Sequence, residues 1–428
     1  MGLNPTRQIL ANGVTVIAKA NHTTPAVSLV VGVRAGAYSD PPDREGTAAL
    51  CARVLDRGTV TRPADVIADE LDGRGASLSV MTGRHQMAIS ATCLSEDFGA
   101  VLTLAADIAR HPAFPDAEVT TRRADLITSI RQDEDNPAPM AADAFAQALY
   151  GSHPYARKVR GSVATVESIR RQDLVRFYQK GVGPHATTVV VVGDIAEDAA
   201  VAAIARVFGD WSAGGDKPGL SGPGPDAALV PDAIASTGRR LVSVPMMNKA
   251  QADLAYGFVG IRRSNPDYAA YSVMNNALGQ YAIGGRLGDS IRERQGMAYY
   301  VFSSLDASLG AGPFTIRAGI SADNVERAIA SIDAELDAVL KAGFTTQEID
   351  ESKSYLVGSL PRQLETNAGI AGFLLSAEFH GLGVDHHVQL PRRISEVTHD
   401  DVARVAHRLL DSSRAVVSVA GPWAGPSR

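Results

Sequence analysis

At 428 residues the chain is too long for one ordinary core, so two domains of about 200 residues are expected. Hydrophobic residues make up 45% and charged residues 21%, as in a globular protein with a wet surface, and a net charge of −6 argues against nucleic-acid or anionic-membrane partners. No apolar run approaches the roughly 18 residues of a bilayer span, so no membrane partner is expected.

The N-terminal stretch MGLNPTRQILANGVTVIAKA has no signal-peptide core and reads as strand, Asn12-Gly13 turn, strand. An alternating apolar strand follows from Val27 to Tyr38, then a turn-rich DPPDREG and a helix within GTAALCARVLDRGT (46–59). Phe114 to Arg131 (FPDAEVTTRRADLITSIR) carries an acidic cap and a long helix. SIRRQDLVRF (168–177) and the buried-type strand TTVVVVG (187–193) close the first half. SAGGDKPGLSGPGPD (212–226) holds five glycines and three prolines in fifteen residues and reads as a linker.

Beyond it, Gly284-Gly285 predicts a tight turn, Leu287 and Ile291 an apolar helical stripe, and Gly296 its C-cap. Arg292 ends that helix. Tyr299 opens the strand AYYVFSS with Tyr300 on the opposite, core-facing side. FTTQEIDESKSYLVGSLPR (344–362), EVTHDDVARV (396–405) and RAVVSVAG (414–421) repeat elements of the first half at an offset of about 230, which points to duplication. The expected architecture is α+β, two duplicated domains, each a mixed sheet covered by helices. The expected division is 1–211, a Gly/Pro-rich linker at 212–237, and 238–428.

The chemistry-bearing residues are sparse. None of the ten histidines is followed by Glu at one or three residues, or by His at four. His380, His386 and His387 fall in a loop between helices and read as solvated or capping groups. There is no Gly-x-Ser-x-Gly elbow, and no Lys-Ser/Thr follows the glycine turn. Cys51 has apolar neighbours and reads as a small buried hydrophobe. Two cysteines, Cys51 and Cys93, fit reduced thiols and a cytoplasmic location; a periplasmic one stays open for a processed form.

Residues 46–59, 120–137 and 275–304 together resemble the pitrilysin-type zinc peptidases, or inverzincins, in the branch of the mitochondrial processing peptidase. In that family the first helix carries His-x-x-Glu-His ahead of a Gly-Thr pair; the histidines hold zinc and the Glu activates its water. Aligning on Gly58-Thr59 puts Ala49, Ala52 and Arg53 at those positions. The third ligand position falls on Ser129 and the supporting carboxylate on Arg122. An alanine has no donor atom and an arginine is a permanent cation, so no metal is expected in this chain. Arg53 and Arg122, neighbours in the family fold, would need an acid between them, such as Asp56 or Asp125, or a bound anion.

The resemblance implies a non-zinc subunit of a two-chain metallopeptidase, a heterodimer with a homologous zinc-binding partner acting on a peptide substrate. This chain would hold no cofactor, zinc being in the partner. Arg292 and Tyr299 would serve the shared site, and Gly284 and Gly285 would contact substrate. The alternative is a catalytically inactive structural or interaction protein of the same fold.

Overall fold

In β5 (Met87–Leu94) every second side chain is buried, while β3 (Ala26–Val33) and β6 (Thr187–Gly193) are buried on both faces. Such strands need cover above and below. The computed structural model describes residues 2–212, 230–280 and 285–425, and it supplies that cover in two units. With β1 (Thr6–Ile9), β2 (Thr15–Ala20) and β4 (Ser77–Thr82), these strands form one six-stranded sheet in the order β1-β2-β6-β3-β5-β4. β7 (Arg240–Pro245), β8 (Ala252–Val259), β9 (Ala298–Leu305), β10 (Pro313–Ile320) and β11 (Val416–Gly421) form a second sheet, ordered β7-β11-β8-β10-β9. Each has one parallel pair, β2 with β6 and β7 with β11. The other pairs are antiparallel. The mixed sheets and the duplication both appear as the sequence predicts.

The first half carries eight helices among the described residues. They are α1 (Thr47–Leu55), α2 (Ala64–Asp72), α3 (Phe98–Arg110), α4 (Asp116–Glu134), α5 (Pro137–Tyr150), α6 (Val163–Ser168), α7 (Arg171–Gly181) and α8 (Glu197–Phe208). The second half carries α9 (Tyr268–Asn275), α10 (Val325–Ala342), α11 (Thr346–Gln363), α12 (Asn367–Phe379), α13 (His386–Ser395) and α14 (His399–Leu409).

One unit comprises Met1–Ile130, Lys158–Asp226 and Pro361–His387; the other comprises Arg131–Arg157, Ala227–Leu360 and Val388–Arg428. The single division expected at 212–237 separates the strands of the two sheets but not all the helices. α5 packs on β8 and β11 of the second sheet, and α12 packs on β3 and β6 of the first. The physical reason lies in the sheets. Val30, Val190, Val192 and Ile17 form an apolar face that Ile370, Ala371, Leu374 and Leu375 of α12 close. The opposite face of that sheet is closed by α1, α3, α7 and α8. Most of the expected linker, residues 213–229, lies outside the described residues.

Candidate functional site

The helix at the expected metal position is built on a left-handed glycine. Gly46 has φ +96°, and a Cβ there would lie 2.6 Å from the Arg160 carbonyl oxygen. Asp40 caps α1 from upstream, its carboxylate accepting from the N–H groups of Gly46 and Ala48, both at 2.8 Å. The helix then runs TAALCARVL with Ala49, Cys51 and Ala52 inside the core. Burial pushes the Cys51 thiol pKa well up, as expected of an inert packed cysteine.

Arg53 is half-buried in the last turn and makes no ion pair or side-chain hydrogen bond among the described residues. On α4, Arg122 is held within its own helix, Nε to Glu118 Oε2 at 3.3 Å and Nη1 to Asp125 Oδ2 at 2.9 Å. Ser129 donates to the Asp125 carbonyl oxygen at 3.0 Å. The acids that answer Arg122 are thus Glu118 and Asp125. Asp56, the C-cap of α1, lies 3.1 Å from Arg57; burial raises its carboxyl pKa, opposed by Arg57 and Arg122. This donor set does not fit zinc: two alanines, a guanidinium and a hydroxyl bonded to its own helix. Among the described residues no group of three or more His, Cys, Asp or Glu side chains could hold a metal ion.

In the second unit, Leu287 and Ile291 are fully buried, as their stripe predicts. The helical turn Gly288–Arg294 ends where Gly296, φ +60°, gives its N–H to the Arg292 carbonyl at 3.0 Å. Arg292 is about one-third exposed, with Nε 3.6 Å from Glu293 Oε1. Tyr299, second residue of β9, is 83% exposed, and its hydroxyl has no partner among the described residues. Tyr300 points the other way, is half-buried and donates to Asp253. Burial first, then the Asp253 bond and charge, raise the Tyr300 pKa; burial also raises that of Asp253. Gly285 has φ +81° and lines a cleft with α11. Gly284 lies outside the described residues.

The histidine cluster differs from expectation. His386 and His387 open α13 and are buried; they are not in a solvated loop. His386 stacks on Phe373 with ring centroids 5.7 Å apart, and His387 Nε2 accepts from the Leu3 N–H at 2.6 Å. The only trace of the cleft beside Gly285 in the sequence is the repeat, which sets Ser352 at the place of Arg122.

The sequence model described as "Insulinase (Peptidase family M16)" matches residues 15–163, and the "Peptidase M16 inactive domain" matches residues 168–356. The chain belongs to the M16, pitrilysin-type, peptidase family. An uncharacterised zinc protease of Streptomyces coelicolor is 26% identical over 421 residues, 97% of this chain and 89% of that protein. One from Mycobacterium tuberculosis strain H37Rv is 27% identical, covering 98% and 94%. The crystal structure of a peptidase M16 inactive domain from Pseudomonas fluorescens superposes with a TM-score of 0.90 at 25% identity, covering 99% of each chain. A chain of complex III2 from Candida albicans shares the fold alone, with a TM-score of 0.79 at 17% identity, covering 97% of this chain and 96% of that one. Within the family, this member lacks the residues of the zinc site.

Proposed function

We propose that the chain is the non-zinc subunit of a heteromeric M16 metallopeptidase, inert alone, which lends Arg292 and Tyr299 to a zinc site on a homologous partner carrying His-x-x-Glu-His. The observation that carries this reading is Tyr299, a large aromatic side chain left exposed with its hydroxyl unpaired among the described residues, seven residues after an accessible arginine. The partner's zinc would supply Lewis-acid polarisation and the attacking water. In this chain the Arg292 guanidinium offers a planar donor fork for a peptide carbonyl. The Tyr299 hydroxyl donates to the oxygen on which negative charge develops. We place the protein in the cytoplasm on its reduced-type cysteines; among the described residues no helix is long and apolar enough to cross a membrane.

The test is steady-state peptide cleavage by the co-purified pair, with assembly checked by size. Tyr299→Phe should lower kcat by about 100- to 1000-fold with little change in KM, because an oxyanion donor acts chiefly in the transition state. Arg292→Ala should damage KM as well. Arg292→Lys should recover only part of that loss, since an ammonium cannot form two parallel bonds. Wild-type rates in both Tyr299→Phe and Arg292→Ala, with normal assembly, would end this reading. The second reading, a structural subunit without proteolysis, would then take its place, favoured by the likeness to the complex III2 chain.

A further inference from the structure

The second unit holds a cleft of about 470 Å³, a size at which small organic groups bind. Asn276 and Ser352 form part of its lining, and both are more than nine-tenths buried, 6% and 4% exposed. Among the described residues the Ser352 hydroxyl makes no hydrogen bond and the Asn276 Oδ1 accepts none; Asn276 Nδ2 reaches only Gln280 Oε1, at 3.5 Å. Both residues line the open cleft, so its wall offers a ligand two unused acceptors for N–H or O–H groups.

The charge of the lining sets the sign of that ligand. The lining carries Asp289, Glu348 and Glu351 against one cation, Arg286; Asp289 is paired outside it with Arg294 Nε at 3.0 Å, so Glu351 is the carboxylate left over. Arg286 is already spent on Glu348, at 2.6 and 3.0 Å. Glu351 accepts only from Gln347 Nε2, at 2.8 Å, and makes no ion pair among the described residues. The repeat gives an independent indication. At an offset of 230, Ser352 takes the place of Arg122 and Glu348 that of Glu118. In the first unit the Arg122 guanidinium lies against Glu118 and Asp125. In the second unit a serine leaves that place open.

We propose that this cleft binds an alkylguanidinium group, with Ser352 Oγ and Asn276 Oδ1 accepting its N–H groups and Glu351 balancing its charge. The group could belong to a free small guanidine or to an arginine side chain of a peptide. Gly285 brings bare backbone to the wall, so an extended chain could approach there; only this peptide source rests on the function proposed above.

The test uses the full chain without a partner, by isothermal titration calorimetry. The probes are agmatine, a capped Ala-Arg-Ala peptide and the same peptide with citrulline, which keeps the shape and loses the charge. At least one guanidinium probe should bind, and the citrulline peptide should bind at least tenfold more weakly than the arginine peptide wherever that one binds. Agmatine binding alone assigns a free guanidine, and tighter binding of the peptide assigns an arginine side chain. Glu351→Gln should weaken the bound probe about tenfold, and Ser352→Val should weaken it likewise by removing an acceptor and filling space. Glu351 is exposed, so its variant keeps the test valid should Ser352→Val fold poorly. No binding of either guanidinium probe, equal binding of the citrulline peptide, or a Glu351→Gln affinity equal to wild type would overturn the proposal. Because no partner is present, failure here is distinct from failure of the shared-site reading, which the cleavage assay judges.

Discussion

Tyr299 and Tyr300 are neighbours in one strand with opposite duties. Tyr300 donates to buried Asp253, so Tyr300→Phe should leave that carboxyl without its donor and cost about 1–3 kcal/mol of stability. Cleavage by an assembled pair should stay near wild type, which separates folding from chemistry; a kcat loss as large as that of Tyr299→Phe would refute the assignment. The helix at the expected metal position allows a second prediction. Installing His at 49 and 53 with Glu at 52 should not produce a tight zinc site, because Ser129 and Arg122, at the positions the resemblance gives to a ligand and a supporting carboxylate, are bonded within their own helix. Stoichiometric zinc in that variant by metal analysis would contradict the argument. His85 makes a third. Burial, with the charges of Arg84 and His380 adding, holds its pKa down at about 4. The unfolded chain takes up the proton near pH 6.5, so this contribution is complete above that pH and is lost as pH falls toward 4. Stability should drop by on the order of 2–3 kcal/mol across that window, and His85→Gln should flatten the drop in urea midpoints measured from pH 7 to 4.5.

At the scale of elements, α1 depends on two positions outside its hydrophobic stripe. Asp40 satisfies two of the orphan N–H groups at its start. Asp40→Ala should therefore cost about 1–3 kcal/mol, read as a lower urea midpoint at unchanged slope. Gly46→Ala should also destabilise, since it asks an L-residue for φ +96° and drives its Cβ toward the Arg160 carbonyl. A Gly46→Ala midpoint at or above wild type would show that the turn relaxes. The strands follow simpler rules. The alternation in β5 marks a half-covered strand and the valine run of β6 a doubly covered one. β3 corrects the reading of Val27 to Tyr38 as an alternating strand: it ends at Val33 and is buried on both faces, because a helix layer covers each side of its sheet.

At the scale of the whole chain, the reciprocal placement of α5 and α12 makes each sheet depend on a helix from the other half. A fragment of residues 1–211 keeps every strand of the first sheet but loses α12. It would bare the face made by Ile17, Val30, Val190 and Val192, and forgo burial of Ile370, Leu374 and Leu375, worth roughly 1.5–3 kcal/mol per side chain. The fragment should aggregate or unfold without cooperativity, and supplying residues 361–387 should improve both. A soluble, monomeric, cooperatively unfolding 1–211 would show that the first sheet does not need its borrowed helix.

The sequence by itself determined the duplication and the mixed sheets, because hydrophobic period is a local property of residues; it was the resemblance to the zinc peptidases that set Ala49, Ala52, Arg53 and Ser129, which lack the donor chemistry, at the expected ligand positions. The sequence also set Tyr299 and Tyr300 on opposite sides of one strand. It could not say which sheet α5 or α12 covers, since a helix apolar on most faces fits any apolar sheet and the choice is made by the packed whole. Nor could it show that His386 and His387 are buried, or that Ser352 and Asn276 face one open space. Those facts depend on which side chains meet across hundreds of residues of chain, and only tertiary packing fixes that.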